Sequence, residues 1–129
     1  MDKIFLGGTC NGSTWREEII PELKKDFFNP VVEDWTPECQ QIEEIEKRDK
    51  CNIHLYVITA KMTGVFSIAE AIESTMTEGI MTFLQICPAS FDEFQLRSLK
   101  AVGQMVEKHG GIVFVSDSFD ALIEAVNNA

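Results

Sequence analysis

Positive charge is scarce in this chain: eleven Lys and Arg stand against 21 Asp and Glu, for a formal charge of −10. Such a surface repels phosphate backbones, and no basic cluster offsets it, which excludes a nucleic acid polymer as partner. A small anion stays open, because backbone amides bind one locally whatever the net charge. Long apolar runs are missing as well; nothing approaches the ~20 residues that a membrane span needs. The start, MDKIFLGG, is too short for a signal peptide, so no membrane contact and a cytoplasmic location are expected. There are two histidines, His54 and His109, and four cysteines (Cys10, Cys39, Cys51 and Cys87) without a C-x-x-C pair. Zinc knuckles and thioredoxin-type motifs are thereby excluded, and neither a metal site nor a cofactor is expected.

What is present suits one globular domain over residues 1–129, with 45% hydrophobic and 25% charged residues. KIFLGG reads as a buried strand ending in glycines. Thr14 and Glu17 have capping-box spacing and open a helix expected to reach about Lys25, bent at Pro21. FFNPVV reads as a second short strand turning at Asn29-Pro30. Thr36 then caps an acidic helix with Pro37 at its first position. NIHLYVIT, apolar on nearly every residue, is the clearest strand and implies cover on both faces. GVFSIAEAIESTM follows as helix and IMTFLQIC as strand. Ser90 and Glu93 suggest another capping box before a helix to about His109; IVFV and SFDALIEAV close the chain. Five strands alternating with helices predict an α/β fold: a small doubly wound, five-stranded parallel sheet, flavodoxin- or Rossmann-like, with helices on both faces.

Ligands of such sheets sit beyond the carboxyl ends of the strands, near the reversal of strand order. Three segments should meet there: Gly7–Ser13, Asn29–Asp34 and Thr59–Ser67. The first, GGTCNGS, comes close to a P-loop but has Ser13 where the phosphate-binding lysine should stand. Its two glycines let a ligand approach the backbone, and Gly7, Gly8, Thr9 and Asn11 become candidate contacts. A tight βα turn would explain the same residues; the loop's place and polarity favour the ligand. In NPVVEDWTPE, Trp35 can stack on a heterocyclic base and Asp34 can accept from ribose hydroxyls, with Asn29 a further candidate substrate contact; core cover and helix capping explain Trp35 and the acids equally. In KMTGVFSIAEA, Gly64, a candidate substrate contact, leads into a helix on which Ser67 and Glu70 lie one turn apart. A glutamate there can act as nucleophile or base with Ser67 orienting it, although the pair also fits a capping box. Arg16 and Lys61 are the nearest cations.

The runs FLGGTCNGSTWREEIIP, FFNPVVEDWTPEC and CNIHLYVITAKMTGVFSIAEA together resemble the nucleoside 2-deoxyribosyltransferase-like proteins over nearly the whole chain. The resemblance implies chemistry at the N-glycosidic bond of a nucleoside or nucleotide. In the wider superfamily a helix-start glutamate attacks the anomeric carbon, helped by a first-strand tyrosine and by aspartates after the third strand. Here Ser67 stands at the nucleophile position with Glu70 one turn on, Phe5 replaces the tyrosine, and TAKMTG lacks the aspartates. Two expectations follow. One is an N-glycosidase or deoxyribosyltransferase using Glu70 and Ser67. The other is a nucleotide or nucleotide-sugar binding module that kept the cleft and lost the nucleophile. The resemblance also makes a homo-oligomer a candidate assembly, because superfamily sites are often completed across a subunit interface.

Overall fold

The computed structural model describes residues 2–10 and 12–129, so the expectation for Asn11 lies outside the described residues. Strands β1 (Lys3–Gly8), β2 (Asp26–Phe28), β3 (Ile53–Ile58), β4 (Met81–Ile86) and β5 (Ile112–Val115) form one sheet in the order β2-β1-β3-β4-β5. Every pairing is parallel. The helices are α1 (Trp15–Ile19), α2 (Pro37–Ile45), α3 (Phe66–Thr75), α4 (Glu93–Lys108) and α5 (Asp120–Asn127). This is the doubly wound α/β fold that the alternating pattern predicts.

Side chains alternate across each strand, which gives the sheet two separate cores. Ile4, Leu6, Ile53, Leu55 and Val57 pack with Trp15 and Ile19 of α1 and with Leu122 and Val126 of α5. Phe5, Tyr56, Ile58 and Leu84 pack on the other face with Ala71 of α3 and with Leu99 and Val106 of α4. All six residues of β3 are buried, as its nearly continuous apolar run requires, with His54 the one polar exception beside the Tyr56 hydroxyl. Helix α2 is different: PECQQIEEI has no buried residue, and burial begins only at Lys47, inside the π-helical turn Glu46–Lys50 that continues it. A helix this acidic stands away from the apolar sheet and leaves a cleft between its end and α3.

Several local expectations are corrected. The helix expected to reach Lys25 stops at Ile19, and Ile20–Glu22 tighten into a 3₁₀ turn. Pro21 is the cause, since it has no N–H to continue an α-helical ladder. Thr14 makes no side-chain cap, and its backbone (φ −111°, ψ 5°) lacks the extended form typical of that position. Strand β2 is DFF and not FFNPVV: it ends before Asn29, whose Oδ1 accepts a 3.2 Å bond from the Val31 amide in a local turn. The cap of α4 is Asp92 with Gln95, in reciprocal bonds of 2.8 and 3.1 Å. Ser90 cannot serve there, because its φ of 69° is left-handed. Thr36 does cap α2, accepting from the Cys39 amide at 3.3 Å, with Pro37 next as expected.

Candidate functional site

Strand order reverses at β1: the chain leaves β1 for β2 on one side and returns for β3 on the other. The loops after β1 and β3 therefore diverge over a crevice. Gly8 has φ +113°, and a Cβ there would strike the Val57 backbone; only glycine lets β1 leave the sheet at this point. Thr9 then ties the two loops together. Its amide donates to the Val57 carbonyl at 2.9 Å, and its Oγ1 accepts from the Thr59 amide at 3.0 Å. Lys61 donates across the same gap to the Gly12 carbonyl at 2.8 Å. The result is an open cavity of about 150 Å³, with Gly8, Thr9, Gly64 and Ser67 in its wall beside Met62 and Phe66. Arg16 is no ligand group: it is buried and spends its guanidinium on the carbonyls of Leu6 (2.9 and 3.2 Å) and Thr9 (2.8 Å).

Glu70 faces elsewhere. Glu70, Glu73 and Ser74 of α3, with Thr77 just beyond its end, look across at the π turn. Between them lies a second cavity of about 110 Å³, floored by His54 and Tyr56 and walled by Lys47, Glu70 and Ser74. Lys47 Nζ donates to Glu70 Oε2 at 2.8 Å, and each side chain is only 8% exposed. Among the described residues this pair is the most enclosed ion pair. Lys47 also lies 5.7 Å from the Phe5 ring centroid and 3.3 Å from Glu44 Oε1.

The electrostatics sort these groups. Burial alone would pull the Lys47 pKa down, but the bond to Glu70 and its charge outweigh burial and hold the ammonium above its usual value. Glu43 lies one turn before Lys47 and is half-buried; burial, then the Glu70 charge, raises its carboxyl pKa. Burial lowers that of His54, with the Lys47 charge adding to the effect, and keeps the ring neutral. The buried Tyr56 phenol is pushed far above its ordinary range and stays protonated. A carboxylate paired with a cation, near a second carboxyl whose pKa is raised, is a division of environments that acid–base work uses.

The structure brings Gly8, Thr9, Gly64 and Ser67 to one cavity and places Glu70 in the next, one helical turn away. No hydrogen bond joins Ser67 to Glu70, and Ser67 is the second residue of α3, so the pair is not a capping box. Gly7 packs against Tyr56, whose ring a Cβ would overlap. Asn29, Asp34 and Trp35 stand exposed on the loop after β2 and line neither cavity; Trp35, 62% exposed, does not cover the core. Reading the sequence missed Lys47, Glu43, His54 and Tyr56. The spacing of Glu43 and Lys47 was visible, but not that α2 turns this face toward α3. Tyr56 is next to the expected place for a tyrosine: its ring lies 6.3 Å from that of Phe5, on the adjoining strand. Among the described residues no group of three or more His, Cys, Asp or Glu could hold a metal ion, and no helix is long and apolar enough to cross a membrane.

A family model described as nucleoside 2-deoxyribosyltransferase like matches residues 2–91, more than half of the chain and all of the segment that builds both cavities. No curated protein and no solved structure matches the chain.

Proposed function

The chain belongs to the nucleoside 2-deoxyribosyltransferase-like family, and from that membership we propose that it acts on the N-glycosidic bond of a nucleoside or nucleotide. The observation that carries this reading is Glu70: a carboxylate 8% exposed, paired with Lys47 at 2.8 Å and bordering a cavity. Lys47 holds Oε2, which leaves Oε1 to meet the substrate. Oε1 attacks the anomeric carbon as the C–N bond breaks, and the bonding pair leaves on the base nitrogen, which takes a proton from water. A nitrogen of a second base, or water, then attacks the anomeric carbon of the glycosyl ester and gives its proton to solvent, and Glu70 departs as carboxylate. Gly7, Gly8, Thr9, Gly64 and Ser67 are the proposed contacts for sugar or phosphate oxygens. Asn29, Asp34 and the exposed ring of Trp35 are those for the ribose and base.

The test incubates the purified protein with deoxynucleosides, nucleoside monophosphates and NAD, with and without a second free base, beside Glu70→Ala. Base release lost in the variant supports the reading; release that survives it refutes the role of Glu70. A second reading, a binding module without catalysis, is favoured by the size of the cavities, since 150 and 110 Å³ fall below the ~300 Å³ at which ligand pockets begin. Calorimetric binding of the same compounds without product would support it. The macromolecular partner we propose is a second copy of this chain, which Ile42 and Ile45, 53% and 44% exposed on α2, support. A cytoplasmic setting fits the four free cysteines.

A further inference from the structure

One line of hydrogen bonds runs from β4 to the Lys47–Glu70 pair, and its direction can be worked out. His54 Nε2 lies 2.9 Å from the Lys47 carbonyl oxygen, which can only accept, so Nε2 carries the proton. In a neutral ring Nδ1 must then accept. Ser74 Oγ, 3.0 Å away, donates to it, with the Tyr56 hydroxyl further off at 3.4 Å. Its single proton spent, Ser74 accepts from Thr82 Oγ1 at 2.7 Å. Thr82 and His54 are register partners on adjoining strands and so point to the same face. His54, Ser74 and Thr82 are 4%, 3% and 2% exposed, so the line runs through the interior of the protein.

The far end of this line is the backbone of a π-helical turn, Glu46–Lys50. The Cys51 amide reaches back five residues to the Glu46 carbonyl at 2.9 Å, a bond pattern that differs from that of the helix the turn continues and is found often at functional sites. Lys47 is the one buried residue of that turn. We infer that His54 is a positioning residue: by holding the Lys47 carbonyl it fixes the turn from which Lys47 reaches Glu70. This rests on the glycosidic reading for its catalytic consequence and on the geometry alone for its structural one.

The experiment therefore has two arms. In full-length protein labelled with ¹⁵N-lysine, the Lys47 ammonium, buried and bonded to a carboxylate, gives a slowly exchanging NMR signal. His54→Leu removes the donor and leaves the Lys47 carbonyl unpaired, so this signal is lost. His54→Gln keeps an amide N–H within reach of the carbonyl and retains it. Ser74→Ala frees the ring to rotate and weakens the signal, and it stands in if the leucine variant does not fold. In the kinetic arm, on any substrate from which the protein releases base, His54→Leu lowers kcat about tenfold with KM nearly unchanged, and His54→Gln restores most of the loss. An unchanged Lys47 signal in both His54→Leu and Ser74→Ala overturns the inference, as does His54→Gln behaving like His54→Leu. Absence of base release from every substrate would refute the glycosidic reading, while the NMR arm still decides the role of His54.

Discussion

Lys47→Met tests the buried pair most sharply. The substitution keeps the length of the side chain and removes its charge, so Glu70 is left at 8% exposure without its cation. Breaking a buried ion pair from one side costs about 3–5 kcal/mol, because the remaining charge keeps its desolvation penalty. The cavity of about 110 Å³ beside the pair admits water, which places the expected loss at the lower end, about 3 kcal/mol. For a chain of this size that corresponds to a fall in Tm of roughly 10 °C. Replacing both partners should recover most of it: Lys47→Met with Glu70→Leu leaves no buried charge, and its cost should be below that of Lys47→Met alone. The assay is urea unfolding of the four proteins of the cycle at pH 7, with m-values compared to establish that the denatured state is unchanged. A loss under 1 kcal/mol for Lys47→Met, or a double variant no better than it, would refute the claim that the pair is enclosed.

Further outcomes follow from the same geometry. Glu43 has its carboxyl pKa raised in the fold, so ionising it costs stability; the penalty is absent well below its ordinary value of 4.5 and grows as pH rises through the folded value. Glu43→Gln should therefore be the more stable protein at pH 7, and denaturation profiles of the two should converge as pH falls below that value. Gly8→Ala should destabilise by about 2 kcal/mol or more, since the new Cβ meets the Val57 backbone at a φ of +113°; urea unfolding reads this directly. Trp35 is 62% exposed and Trp15 2%, so a nucleoside stacking on the loop should quench fluorescence in Trp15→Phe but not in Trp35→Phe.

Much of the fold was legible because its signals are local. The apolar run of β3 and the Thr36-Pro37 start of α2 each specify their element without help from the rest of the chain. Errors arose where two local rules compete. Pro21 outweighed the apolar spacing after Trp15, and Asp92 with Gln95 took the cap that Ser90 and Glu93 also suggest, a choice set by the left-handed backbone of Ser90. The first loop was legible as a place of close backbone approach, since the glycines state it. The cluster around Glu70 was not. Lys47, His54 and Ser74 come from the π turn, β3 and α3, and their meeting depends on α2 standing off the sheet. No spacing along the chain encodes that distance.

The central claim is that Glu70 faces the anomeric centre of a nucleoside-type substrate. The most direct measurement is chromatography of the reaction panel with the wild-type protein and Glu70→Ala side by side. The account predicts release of free base from at least one nucleoside or nucleotide, reduced by roughly a thousandfold or more in the variant, as expected on removing a nucleophile. Base release at equal rates from both proteins, or none from the wild type on any member of the panel, would contradict it.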